Sequence, residues 1–174
     1  QQWVGQGWRS LPNRRVDSVG QAQEWFDLQW SCGEGQVAVL LATSGWQAAP
    51  RWSLPNALGW LVPHTALVDH PVLPRFDRGN ASRLVFVRAG GRDDQREVLR
   101  LWRSDVRLSP ALAGPAPLPV WYGAIYRERH VSPGYLSRAE LDRQTLPAEE
   151  FAAALPAAVP AHPRAREPGP PTQA

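Results

Sequence analysis

His64, Asp69, His70 and Asp77 lie close together in the chain, and imidazole with carboxylate is a donor set that zinc accepts. The six-residue step from His64 to His70 fits no pair one helical turn apart, and Pro63, Pro71 and Pro74 interrupt the segment. A structural role is therefore favoured, and no metal or other cofactor is expected. Cys32 is the only thiol, so it can close no internal disulfide. A phosphatase-type thiol loop wants Arg six positions on, where this chain has Ala38. Cys32 therefore reads as a buried structural residue. His130 has the chemistry of a general base, but no orienting partner is marked in the sequence. Asp93-Asp94 reads as a turn, and Gly90-Gly91 lacks the further glycines of a phosphate loop.

The arginines are the more informative set. All 19 basic residues are Arg, and the net charge is +3. GC-rich codon usage explains the preference for Arg over Lys. It does not explain the distribution, since residues 75–107 hold nine Arg against five acids. In Arg96-Glu-Val-Leu-Arg-Leu-Trp-Arg103, the two-residue period of a strand puts Arg96, Val98, Arg100 and Trp102 on one face and Leu99 and Leu101 on the other. With the leucines turned to a core, Arg96, Arg100 and Trp102 are expected on an outer face. Arg75 and Arg78, in the preceding loop, are expected near the same edge. The planar guanidinium fork suits phosphate oxygens, and an aromatic neighbour steadies it. Arg75, Arg78, Arg96, Arg100 and Trp102 are thus the candidate ligand-binding residues, for phosphate or an anionic headgroup. The plainer alternative is a solvated sheet face paired with Glu97, Asp93 or Asp105. Five interleaved acids argue against nucleic acid as a partner.

The elements that must position these residues are strands at 83–88, 96–103 and 118–127, rich in β-branched and aromatic residues. The turn Ala89–Gln95 joins the first two, and a Pro- and Gly-containing connection, Ser109–Pro117, leads to the third. An earlier strand is expected over Glu24–Trp30, with Phe26, Leu28 and Trp30 on one side and Asp27 and Gln29 on a wet side. Ser31 as N-cap with Glu34 predicts a helix that carries Val37, Leu40 and Leu41 and ends at Gly45. A second helix is predicted from Ser53, with Pro55 in its first turn, to Pro63. Short helical turns are expected over Ser137–Arg143 and Ala148–Leu155. The result is an α+β two-layer sandwich: a mostly antiparallel sheet of about four strands with two helices on one face. The earlier strand should lie beside one of the later three. Trp30, Leu40, Leu41, Trp46, Leu58, Leu99, Leu101 and Val120 are the expected core.

The domain is expected over residues 22–131, after an N-terminal arm or linker (1–21). A short helical extension (132–155) and a disordered Pro- and Ala-rich tail (156–174) should follow. In the arm, Trp3 and Trp8 with Arg14-Arg15 suit either a membrane–water interface or packing onto the domain. No run approaches the ~18 apolar residues of a membrane-crossing helix. A start at Gln1, with no Met anywhere, reads as a piece of a longer protein.

Four motifs add a resemblance. Gly45-Trp46-Gln-Ala-Ala-Pro50, Leu73-Pro-Arg-Phe-Asp77, Leu99-Arg-Leu-Trp102 and Pro119-Val-Trp-Tyr-Gly-Ala124, in this order and spacing, resemble the LssY C-terminal domain family over roughly residues 22–127. The resemblance implies an aqueous-phase domain at the end of a bacterial inner-membrane protein that carries a type-2 phosphatidic acid phosphatase domain, sometimes with a DedA-like membrane domain. The phosphatase's own signatures need a Lys and a Pro-Ser-Gly-His, and this chain has neither. The expectation is therefore a non-catalytic accessory domain on the cytoplasmic side. Its partners would be the membrane-embedded phosphatase domain of the same parent chain and anionic lipid headgroups. A stand-alone phosphoesterase with an unrecognised site is the alternative.

Overall fold

The computed structural model describes residues 7–53, 66–92, 94–108 and 116–131, and the backbone of 138–145. Its frame is an antiparallel sheet built on two long neighbours, β8 (Gln95–Leu108) and β9 (Leu118–Val131). The hairpin partner of β8 is β7 (Leu84–Ala89), and its turn closes with Gly90 N–H donating to Gln95 O at 3.0 Å. β4 (Gln47–Ala48) adds a short edge to β7. The far edge of β9 is shared: β3 (Leu28–Ser31) pairs with its first half and β10 (Arg138–Thr145) with its second. The sheet is thus six-stranded, wider than the four strands expected. The predicted neighbour of the earlier strand is found in β9.

On one face lies α1 (Glu34–Ala42), the one α-helix among the described residues. Val37 and Leu41 are fully buried and pack with Trp30, Trp46, Phe86, Leu99, Leu101, Trp121 and Ile125, while Leu40 is partly buried against them. The helix ends as its glycine predicts. Gly45 takes φ 79°, and Trp46 N–H reaches back to Leu41 O at 3.2 Å. Its start is shifted. Gly33 is the N-cap and Gln36 returns to the Gly33 N–H at 3.4 Å, whereas Ser31 stays in β3 and donates to Pro119 O. The second predicted helix, from Ser53, and with it Leu58, lies outside the described residues beyond Ser53 itself. The Ala148–Leu155 turns and the 156–174 tail also lie outside them.

Other expectations need correction. Residues 24–30 form no single strand. β2 (Ala22–Trp25) and β3 are separated at Phe26-Asp27, and the break reverses the phase. Phe26 therefore packs on Trp102 and Tyr122, on the sheet face opposite to Trp30. Val120 is buried, but one residue from Trp121 it faces away from the α1 cluster. Arg138–Thr145 is a strand, since β9 runs on to Val131 and offers an open edge that the local propensity of this segment does not register.

The face expected to be wet is covered. β1 (Arg14–Val16) pairs with β2, and β5 (Phe76–Asp77) pairs with β6 (Asn80–Ala81). These hairpins and the irregular stretch from Ala66 to Pro74 form a second layer, with residues 66–82 laid across the sheet as a strap. Beneath it Val98 and Val87 are fully buried, with Tyr126 and Val72 against them.

Candidate functional site

The strap contains Pro71 and Pro74 and has no strand partner before β5, so its carbonyls need donors. The sheet face supplies them in order. Arg96 donates to Leu67 O at 2.8 Å and also to His70 O. Arg100, four residues further along β8 on the same face, donates to Leu73 O. Trp102 Nε1 donates to Asn80 O at 3.0 Å. The two-residue period that groups these side chains on β8 thus holds the strap. The exposure expected of them does not hold: Arg96, Arg100 and Trp102 are each 1% exposed.

The charges are matched within the layer. Arg96 Nε and Nη2 meet one oxygen of Glu128 at 2.7 and 2.6 Å. Glu24 is ion-paired with Arg15 Nε and accepts Arg75 Nη1–H, each at 2.8 Å. Burial pushes the Glu24 carboxyl up, but the Arg15 hydrogen bond, a backbone N–H and the Arg75 charge prevail and bring it from 4.5 down to about 2. Asp77, 1% exposed, accepts Val16 N–H at 2.9 Å and the Tyr122 hydroxyl at 3.0 Å. Burial and then the Asp77 charge push the Tyr122 phenol up. Arg100 has no carboxylate within ion-pair distance among the described residues. Its other partners are the Tyr126 hydroxyl and Ser82 Oγ, the latter at 3.3 Å. Tyr126 sits between two guanidinia, with Arg75 4.6 Å and Arg100 5.7 Å from its ring centroid.

Two of the five candidate residues reach the surface. The Arg75 side chain is 22% exposed at the rim of the strap. Arg78 is exposed in the two-residue turn between β5 and β6, at φ 47° beside Gly79 at φ 82°. Two positive φ angles suit a hairpin turn that Asn-Gly usually fills, so Arg at the first costs about 1–2 kcal/mol. The structure brings together Arg75, Arg96 and Arg100 around Tyr126 and Glu128, and leaves Arg78 outward. Sequence reasoning missed Glu24, Arg15, Tyr126 and Glu128. The signal was present on β9, where Tyr122, Tyr126, Glu128 and His130 alternate with Trp121, Gly123 and Ile125.

The remaining candidates take structural places. Cys32 is buried, burial pushes its thiol up, and its carbonyl accepts Trp121 Nε1–H at 2.8 Å. His70 is buried, and its ring lies 6.2 Å from that of His130. His64 and Asp93 lie outside the described residues. Among the described residues no three His, Cys, Asp or Glu side chains are grouped to hold a metal, and no helix is long and apolar enough to cross a membrane. On the plainer alternative, Glu97 does pair with arginines, namely Arg88 at 2.7 Å and Arg127 at 3.3 Å, but on the α1 face. In the N-terminal arm, Trp8 O accepts Gln29 Nε2–H at 2.7 Å, tying this part to β3, and Trp3 lies outside the described residues.

Residues 8–138 match the family model described as the LssY C-terminus. No curated protein and no solved structure matches the chain.

Proposed function

The chain belongs to the LssY C-terminal domain family, and from that premise we propose that it is a non-catalytic accessory domain that takes a phosphate-type anion at the strap rim. One observation carries this reading. The carboxylates and guanidinia of the covered face, the Arg75–Glu24 pair among them, are committed to one another and to the strap backbone, while Arg78 is exposed at the rim and the paired Arg75 is 22% exposed there. Groups locked in mutual ion pairs are poorly placed to move protons or attack a substrate, whereas a surface fork suits phosphate oxygens. In this reading Arg96, Arg100 and Trp102 act from beneath, by fixing the strap that presents the rim. The parent-chain setting follows the resemblance: a bacterial inner-membrane lipid-phosphate phosphatase, with this domain in the aqueous phase on the cytoplasmic side. Its partner would be the membrane-embedded phosphatase domain of the same chain.

Two measurements test the proposal. Calorimetric titration of the protein with glycerol 3-phosphate should show binding that weakens about tenfold in Arg78→Gly, which removes one charge-assisted contact. The same substitution should raise the melting temperature, because glycine relieves the left-handed backbone. Unaltered binding in Arg78→Gly would overturn the rim assignment. Turnover of a generic phosphomonoester by the protein would favour the stand-alone phosphoesterase instead.

A further inference from the structure

The outer side of the strap layer differs from the rest of the surface. Six large apolar side chains are exposed among the described residues, and four of them, Val19, Trp25, Leu73 and Phe76, belong to this layer. Strand alternation explains why three groups share a side. Arg15, Glu24 and Asp77 turn inward to their ion-pair and hydrogen-bond partners. Their chain neighbours Arg14, Trp25 and Phe76 therefore turn outward, and the Arg14 guanidinium lies 4.1 Å from the Trp25 ring centroid. β1 and β5 run side by side, with Arg78 N–H donating to Val16 O at 2.8 Å. That bond places the Arg78-Gly79 turn next to the Asp17–Gly20 turn, where Val19 is 76% exposed. Leu73, three residues before Phe76, is 58% exposed.

Single exposed apolar residues are ordinary on any surface. Here four of the six belong to one layer, Val19 at the tip of the β1–β2 hairpin and the others along β2, β5 and the strap, interleaved with arginine. The acids of the layer scarcely oppose the arginines. Glu24 and Asp77 face inward, and the acids left near the surface are Asp69 and Asp17, the latter accepting Val19 N–H at 3.0 Å, Gln21 N–H at 2.9 Å and Gln23 Nε2–H at 2.7 Å within its own turn. Apolar and aromatic tips beside guanidinium groups fit the headgroup zone of a negatively charged bilayer. We infer that this side of the strap layer docks on an anionic lipid bilayer. Val19, Leu73 and Phe76 enter the headgroup region, and Arg14 and Arg78 lie on lipid phosphates. The inference rests on the rim reading above and names a bilayer as the source of its anion.

The test is co-sedimentation of the whole chain with phosphatidylcholine vesicles, alone or with about 30% phosphatidylglycerol, at about 0.1 and 0.5 M salt. Titration with soluble glycerol 3-phosphate runs in parallel. The expected result is binding to the anionic vesicles only, lost at high salt. The Val19→Ser/Leu73→Ser pair should weaken it by roughly tenfold or more and leave glycerol 3-phosphate binding unchanged. Arg14→Gln should weaken vesicle binding at low salt, and Val39→Ser, on α1, should not. Vesicle binding indifferent to Val19 and Leu73 would overturn the docking face. Glycerol 3-phosphate binding without vesicle binding would overturn docking and leave the rim reading intact. Vesicle binding through Val19 and Leu73 without any soluble phosphate binding would sustain docking and sink the rim reading.

Discussion

A guanidinium without a carboxylate beside it is costly to bury, yet Arg100, with no carboxylate in ion-pair distance among the described residues, is 1% exposed and bonds to a carbonyl, a phenol and a hydroxyl. The strap explains this. Its carbonyls lack strand partners and accept strongly, and Tyr126 offers both an acceptor oxygen and a ring face. Glu24 shows the other side of the same electrostatics, since two arginines keep it ionised. Its folded carboxyl titrates at about 2 against 4.5 unperturbed, so the stability it contributes is complete above about pH 4.5 and is lost as pH falls towards about 2. Denaturant midpoints measured from pH 7 down to pH 2 should therefore fall in that lower window. Glu24→Gln should be less stable at neutral pH and show a shallower fall. An unchanged slope would mean that other carboxylates dominate the acid limb.

Among the elements, β9 bears the most constraints. It pairs with β8 along one edge and with both β3 and β10 along the other. Close approach to β8 leaves no space at Gly123, where a Cβ would collide with the Arg100 carbonyl oxygen and lie 2.9 Å from Leu101 Cδ2. Both neighbours are part of the packed β8 strand, so relief requires backbone movement. Gly123→Ala should cost about 1–3 kcal/mol in a denaturant titration, the usual scale of overpacking. A neutral result would show that β8 and β9 can part at this point without loss.

For the molecule as a whole, the decisive feature is a sheet covered on both faces. Leu99 belongs to the α1 cluster, and Trp102 belongs to the cluster with Phe26 and Tyr122. Leu99→Ala should cost roughly 2–5 kcal/mol and Trp102→Ala about 3–5 kcal/mol. Because the clusters share no residue, the double variant should lose close to the sum, within about half a kcal/mol. Calorimetric or chemical unfolding of the single and double variants checks this. A near-silent Trp102→Ala would show that the strap layer adds little to the cooperative core.

Several features were legible in the chain itself. The alternation at 96–102 and 118–127 dictated the strands and which residues share a face, because the strand period is a local geometric constant. The apolar spacing in α1 and the glycine at position 45 marked the helix and its end for the same local reason. Other features depended on partners distant in sequence. Whether Arg96, Arg100 and Trp102 faced water could not be read from β8, since the strap that covers them comes earlier in the chain and shows no periodic signal. Arg138–Thr145 became a strand because β9 offered it an edge, and Phe26 changed faces because the chain breaks after β2. Local propensity and period set which residues travel together. Burial and pairing arise only when distant segments meet, and here that meeting turned an apparent outer arginine face into the inner lining of a second layer.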